Sequence, residues 1–198
     1  KIVYTSSLYA YGRLSGTPFS EDEVPHPPTM YGISKLTGEY LLDYCRRTHG
    51  LEGNAIRYLF IYGPRQYAGM GYKSVIMKNF ERLLQGKQPV INGDGRQELD
   101  YLYVDDTVSA TLLAMTSPVS GELFNVGSGD ATSIIKLTDE MLAVSGLDLK
   151  PEFGPQDWTH GSSRVGNISK IQRVLGWKPK FTLREGLRHT FEWLKTQS

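Results

Sequence analysis

The sequence is short of almost everything that commits a protein to disulfide, metal or membrane chemistry. It has one cysteine, Cys45, in 198 residues, so no internal disulfide can form and a reducing compartment is expected. Within the apolar stretch 40–45, Cys45 reads as a small hydrophobe. The four histidines (His26, His49, His160, His189) are scattered without metal-ligand spacing to one another or to Cys45, so no metal is expected. A net charge of +1 gives nucleic acid or an anionic membrane no electrostatic purchase. No apolar run approaches the roughly 20 residues that span a bilayer. There is no internal repeat or low-complexity tract. Together these absences point to a globular, cytoplasmic protein. The chain opens on Lys1 and runs at once into strand-like residues, which predicts a longer protein continuing upstream.

Apolar residues make up 39% of the chain and charged residues 22%, as in ordinary soluble domains. Strand-like runs alternate with amphipathic segments through most of the length, which predicts an α/β fold with a largely parallel sheet. Residues 1–7 read as a buried strand, and the proline-rich stretch 12–29 as loop. A helix is predicted from Thr29 to His49, stopped by Gly50, with apolar positions 33, 36, 40, 41 and 44 on one face. Residues 54–61 read as one strand closed by Gly63-Pro64, and 74–85 as a helix with Val75, Ile76, Phe80, Leu83 and Leu84 inward. Short strands are predicted at 89–92, 99–104 and 123–126, with a turn at Gly93-Asp94-Gly95. Asp105 or Asp106, Thr132 or Ser133, and Ser169 are candidate caps for three helices, and a last helix spans 183–195. Asp105-Asp106 reads as capping rather than as a paired carboxylate site. Trp158, Trp177 and Trp193 read as packing of a smaller lobe. Met70, Met77 and Met115 read as core or loop fillers.

Three residues carry the chemistry. Ser7 closes the first strand, and Tyr31 and Lys35 fall one helical turn apart, so both can meet one ligand. A phenol has an ordinary pKa near 10; a nearby ammonium stabilises its phenolate. A hydroxyl at a strand end can hold a substrate alcohol against that phenol. The roles are then positioner, acid/base and activator. The pair Tyr-x-x-x-Lys is weak by itself. Its context, Ser6-Ser7-x-x-x-Tyr11-Gly12 before it and Arg57-Tyr58-x-x-x-Tyr62-Gly63-Pro64 after it, puts each segment at a strand end, where open α/β sheets bind ligands.

With these segments the chain resembles the extended short-chain dehydrogenase/reductase family, in its nucleotide-sugar epimerase and dehydratase branch. The resemblance runs on through Gly93-Asp94-Gly95-Arg96-Gln97, Asp100-Tyr101-Leu102-Tyr103-Val104-Asp105-Asp106, Phe124-Asn125-Val126-Gly127-Ser128-Gly129 and Leu175-Gly176-Trp177-Lys178-Pro179. It implies a Rossmann-like portion over 1–62 and 101–127 and a smaller mixed α/β substrate lobe over 63–100 and 128–198. It also implies NAD as cofactor, with NADP left open, and a nucleotide-sugar substrate. Tyr31, Lys35 and Tyr58 would contact the cofactor. Ser7, Phe60, Val90, Asn92, Arg96 and Arg164 would contact the substrate. A homodimer pairing through the Tyr31 helix is a further implication.

Dehydratases of this family carry an Asp-Glu pair just after the active-site hydroxyl, and decarboxylating members a Glu at the second position. Here those positions are Leu8 and Tyr9. The resemblance therefore implies an epimerase, probing carbon 4 of a UDP-type sugar, ahead of a dehydratase or a 4-keto reductase. A non-catalytic assembly partner is the alternative from a different class. The chain departs from the family at Phe60, where Asn is common, at Leu99, where many members have an Arg that grips the diphosphate, and near Asp157, where they have another Arg; Arg96 and Arg164 could replace those charges. The family's Gly-rich cofactor turn is not among these residues, which predicts that the 198 residues alone hold NAD weakly or not at all.

Overall fold

A computed structural model describes residues 1–12, 16, 18–66 and 73–197; Met70 lies outside the described residues. In chain order the elements are β1 (Ile2–Ser7), a 3-10 helix (Leu8–Ala10), α1 (Met30–His49), β2 (Gly53–Tyr58), β3 (Phe60–Tyr62), α2 (Val75–Leu84), β4 (Val90–Asn92), β5 (Glu98–Leu99), β6 (Tyr101–Tyr103), α3 (Val104–Thr116), β7 (Leu123–Val126), β8 (Thr132–Ser133), α4 (Ile134–Ser145), β9 (Glu152–Gly154), β10 (Ser163–Arg164), α5 (Ser169–Leu175) and α6 (Leu183–Lys195). The fold is α/β. Its main sheet has the order β1-β2-β7 with every pair parallel. Three smaller ladders, β3-β6, β4-β9 and β10-β5-β8, lie beyond it. Among the described residues no helix is long and apolar enough to cross a membrane.

The helix boundaries follow from capping. The Thr29 hydroxyl accepts the Gly32 N–H at 3.1 Å, and Gly50 ends α1 with φ 66°, the left-handed turn that glycine adopts without strain. Ser74 and Ser133 cap α2 and α4 in the same way, each cap being worth about 1 kcal/mol. Thr182 and Glu185 form a reciprocal capping box on α6.

Among the described residues three apolar clusters form, the smallest from Leu8, Tyr11, Phe19 and Leu59. Ile76, Met77, Phe80 and Leu83 of α2 pack with α4 and α6, each buried side chain contributing about 1.5–3 kcal/mol. Ile56, Phe124 and Val126 of the main sheet pack with Ala110 and Ala114 of α3. Ile168, Ile171 and Trp177 join this second cluster. Residues 168, 171 and 177 thus pack in the same cluster as the main sheet.

Several expectations are corrected by the backbone. The single strand expected over 54–61 breaks at Leu59. There the chain leaves the main sheet, Leu59 N–H bonding to Val126 and Phe60 N–H to Asp100, and β3 pairs with β6 instead. Asp106 does not cap α3. It is buried and its carboxylate accepts the N–H groups of Lys180 at 2.9 Å and Phe181 at 3.0 Å. Ser169 is the first residue of α5; Asn167 accepts its N–H through its side chain. Trp158 is not packed away but 49% exposed. Cys45 is only partly buried. The apolar face expected for α1 is open: Ile33, Tyr40, Leu41 and Tyr44 are all exposed, and Gly32 is the helix's one buried residue.

Candidate active site

Parallel strands deliver their C-terminal ends to one edge, and Ser7, Tyr58 and Val126 form the last register row of the main sheet there. Ser7 is buried, and its Oγ accepts the Tyr9 N–H at 3.3 Å, capping the 3-10 helix. The ring of Tyr9 then meets that of Tyr31 edge-on at 5.7 Å. One short turn thus ties the serine to the tyrosine.

Tyr31 is the second residue of α1 and is 53% exposed. One turn on, the Lys35 ammonium donates to the Thr5 carbonyl at 2.9 Å and lies 5.6 Å from the Tyr31 ring centroid. Glycine allows this approach of helix to strand. A Cβ on Gly32 would stand 2.4 Å from the Tyr9 carbonyl oxygen, and one on Gly38 2.1 Å from the end of the Tyr4 ring. Such separations lie far inside van der Waals contact.

Beneath Tyr31 and Lys35 runs a polar row that the sequence reading missed. Ser6, Arg57 and Asn125 are register partners across β1, β2 and β7. Arg57 pairs with Glu39 of α1 through Nε–Oε1 at 2.9 Å and a second bond of 2.6 Å, and the Ser6 hydroxyl donates to the same carboxylate. The Arg57 guanidinium also lies 4.4 Å from the Tyr11 ring centroid, and the Tyr11 hydroxyl donates to Asn125 at 2.7 Å. Burial opposes the Arg57 charge, but the Glu39 carboxylate outweighs it and holds the guanidinium above its ordinary range. Burial pushes the Tyr11 phenol up to about 12 against the pull of Arg57. The available signal was spacing: Glu39 follows Lys35 by four residues and Tyr31 by eight, on the same helical face.

Successive strand residues point to opposite faces. Tyr58 accordingly turns from Arg57's side toward α3, where its hydroxyl shares a 2.6 Å hydrogen bond with Thr111. Burial raises its pKa, with that bond opposing.

A cleft of about 1010 Å³ opens beside the strand ends. Phe60, Val90 and Asn92 line it, together with Tyr9, Asp157 and Trp158. Tyr9 is thus shared between the cleft wall and the Tyr31 contact. Asn92 donates to Asp157 at 3.0 Å, and the Thr159 hydroxyl and N–H donate to the same carboxylate at 2.6 and 2.9 Å. Partial burial opposes the Asp157 charge, but these bonds and Lys78 hold its pKa below the usual range.

The two candidate arginines differ. Neither is part of the cleft lining, and Arg96 is exposed. Arg164 is 1% exposed, in register with Leu99, with its guanidinium 4.7 Å from the Trp158 ring centroid and 5.8 Å from that of Tyr9. Its Nε is buried without a hydrogen-bond partner, and among the described residues no carboxylate pairs with it. A buried, unneutralised cation beside a cleft is ready for an anion.

The sequence matches the NAD dependent epimerase/dehydratase family over residues 1–127. It is 36% identical over 200 residues to a UDP-glucose 4-epimerase of Mycolicibacterium smegmatis, covering 100% of this chain and 63% of that protein. Among solved structures, a UDP-N-acetylglucosamine 4-epimerase of Methanobrevibacter ruminantium, in complex with UDP-N-acetylmuramic acid, superposes with TM-score 0.93 at 29% identity, over 99% of this chain and 63% of that one. A UDP-glucose 4-epimerase of Thermotoga maritima with UDP-glucose gives TM-score 0.90 at 36% identity, over 98% and 63%. The chain therefore spans 63% of the length of each of these three relatives. It belongs to the NAD dependent epimerase/dehydratase family.

Proposed function

We propose that this protein is an NAD-dependent nucleotide-sugar epimerase acting at carbon 4 of a UDP-linked sugar. The observation that carries the reading is the Tyr31–Lys35 pair at the end of β1, with Ser7 joined to it through Tyr9. Ser7 holds the substrate hydroxyl, Tyr31 takes and returns its proton, and the Lys35 ammonium stabilises the phenolate. NAD supplies the hydride acceptor and donor. Tyr31 and Lys35 suit it because the phenol is half-exposed and, among the described residues, the one hydrogen bond of the ammonium is to the Thr5 carbonyl. Tyr58 keeps its ring for such a contact, its hydroxyl being taken by Thr111. Phe60, Val90 and Asn92 face the substrate across the cleft, Arg164 takes the diphosphate, and Arg96 has a smaller part at its rim.

Leu8 is buried and Tyr9 is an aromatic cleft wall, so the positions after Ser7 offer no carboxylate for dehydration. That favours epimerisation within the family. The open face of α1 supports a homodimer formed through that helix, in a cytoplasmic protein. Residues 1–62 and 101–127 form the cofactor-side portion and 63–100 with 128–198 the substrate lobe, apart from the segment 168–177.

Tyr31→Phe in the intact protein tests the proposal. Interconversion of UDP-glucose and UDP-galactose should fall about 10²–10⁴-fold, the usual worth of an acid/base group, while the UDP-sugar still binds. Turnover that survives the substitution would remove Tyr31 from the mechanism.

A further inference from the structure

Lys35 and Glu39 stand four residues apart on α1, the spacing at which lysine and glutamate ordinarily pair on a helix. Here Glu39 is engaged elsewhere. Its carboxylate is 9% exposed, held by two Arg57 bonds and the Ser6 hydroxyl. The Lys35 ammonium instead bonds the Thr5 carbonyl beside Tyr31. We infer that Arg57 is a positioning residue that sequesters Glu39 and so reserves the Lys35 ammonium for Tyr31.

The geometry suits an arginine. The planar guanidinium engages both carboxylate oxygens while stacking over Tyr11, a combination lysine cannot make. Its NH1 has no hydrogen-bond partner, so the side-chain contacts it makes are to Glu39 and Tyr11. The whole row is braced across three strands by Asn125. It adds to the close approach of Gly32 to Tyr9 and of Gly38 to Tyr4 in setting the rotation of α1, whose large apolar side chains mostly face outward.

The groups around Lys35 make the consequence specific. From β1 comes Tyr4, its ring centroid 5.8 Å from the ammonium, and its phenol raised by burial and by Glu39 and Tyr31. Tyr9 of the 3-10 helix meets Tyr31, and Arg57 of β2 meets Glu39. Besides these stands Glu39, a carboxylate one helical turn from Lys35 on α1. Released, it would turn to Lys35, cancel the ammonium and oppose a phenolate at Tyr31. The catalytic meaning rests on the epimerase reading; the charge arrangement can be tested without turnover.

The test follows the Tyr31 phenol by carbon-13 NMR in chain labelled at tyrosine Cζ, assigned against Tyr31→Phe. Arg57→Gln should raise the Tyr31 titration midpoint by about half a pH unit or more. Glu39→Gln with Arg57→Gln should return it to that of the unaltered chain, because no acid remains for Lys35. An unmoved midpoint in Arg57→Gln overturns the inference. So does a double variant that stays displaced, which would make the pair a mechanical clamp only. Should Arg57→Gln fail to fold, Arg57→Lys, which keeps the charge but loses the two-pronged hold on Glu39, takes its place and should displace the midpoint in the same direction; an unmoved midpoint there overturns the inference. Loss of turnover with these shifts intact would count against Tyr31 as acid/base and leave the role of Arg57 standing.

Discussion

Arg164 and Leu99 face each other in register across the parallel β5-β10 ladder. The family resemblance implies an arginine at position 99. In this chain the neighbouring strand supplies the cation, between Tyr9 and Trp158, while Leu99 joins the apolar cluster of α2 and α6. The Arg164 guanidinium thus lies one strand over from position 99, against two residues of the cleft wall.

Arg164→Gln should weaken binding of UDP to this chain about tenfold or more. A hydrogen bond to a charged group is worth about 1.5–3 kcal/mol, and about 1.4 kcal/mol is tenfold in affinity. Arg96→Gln, at an exposed turn, should change affinity less than about twofold. Calorimetry with UDP reads both. Equal effects from the two substitutions would argue against Arg164 as the diphosphate contact.

Gly32→Ala should destabilise the chain by about 1–3 kcal/mol through overpacking, although alanine is the better helix former by about 1 kcal/mol. The new methyl would meet the Tyr9 carbonyl and, at 2.8 Å, the Pro27 Cβ. Gly38→Ala should cost less, since the obstruction there is the far end of the Tyr4 ring. Urea unfolding of the two variants gives the comparison; a stabilised Gly32→Ala would mean that α1 is not pinned at its first turn.

The Thr182 N–H and hydroxyl, 2.8 and 2.7 Å from the Glu185 carboxylate, hold it below the usual glutamate range. A carboxylate depressed in the folded state contributes stability above its unfolded pKa of about 4.3. That contribution is lost as pH falls through the lower folded value. The first-turn amides of α6 should therefore loosen only in that acid window, as seen by hydrogen exchange. Thr182→Ala should move the Glu185 titration upward; an unchanged midpoint would break the link between cap and charge.

Local chemistry made much of the fold legible. Thr29 with Gly50, Ser74, and Ser133 with Gly146 bound their helices as capping rules expect. The Tyr31–Lys35 neighbourhood was readable because helical spacing alone brings i and i+4 together. What failed was non-local. Nothing in Arg57-Tyr58-Leu59-Phe60 announces that β2 ends and β3 joins another ladder, because that break depends on Val126 and Asp100. Asp106 sits where a cap belongs, yet it serves a segment over seventy residues later. The Glu39–Arg57 pair joins a helix to a strand through burial that periodicity cannot report. The periodic apolar residues of α1 were correctly found on one face, but periodicity does not say what covers that face.

The main sheet also constrains how the molecule comes into being. Its rows join Ile2 to Gly53 and Ala55 to Leu123, each across at least one complete helix, and no hairpin can nucleate it. Closing such distant pairs costs chain entropy before any contact rewards it. Capped helices rest on local contacts, whereas the edge that gathers Ser7, Tyr58 and Val126 needs pairings distant in the chain, so it is expected to assemble late. Slow refolding, with helical signal preceding the burial of Tyr58, is the kinetic signature of this architecture.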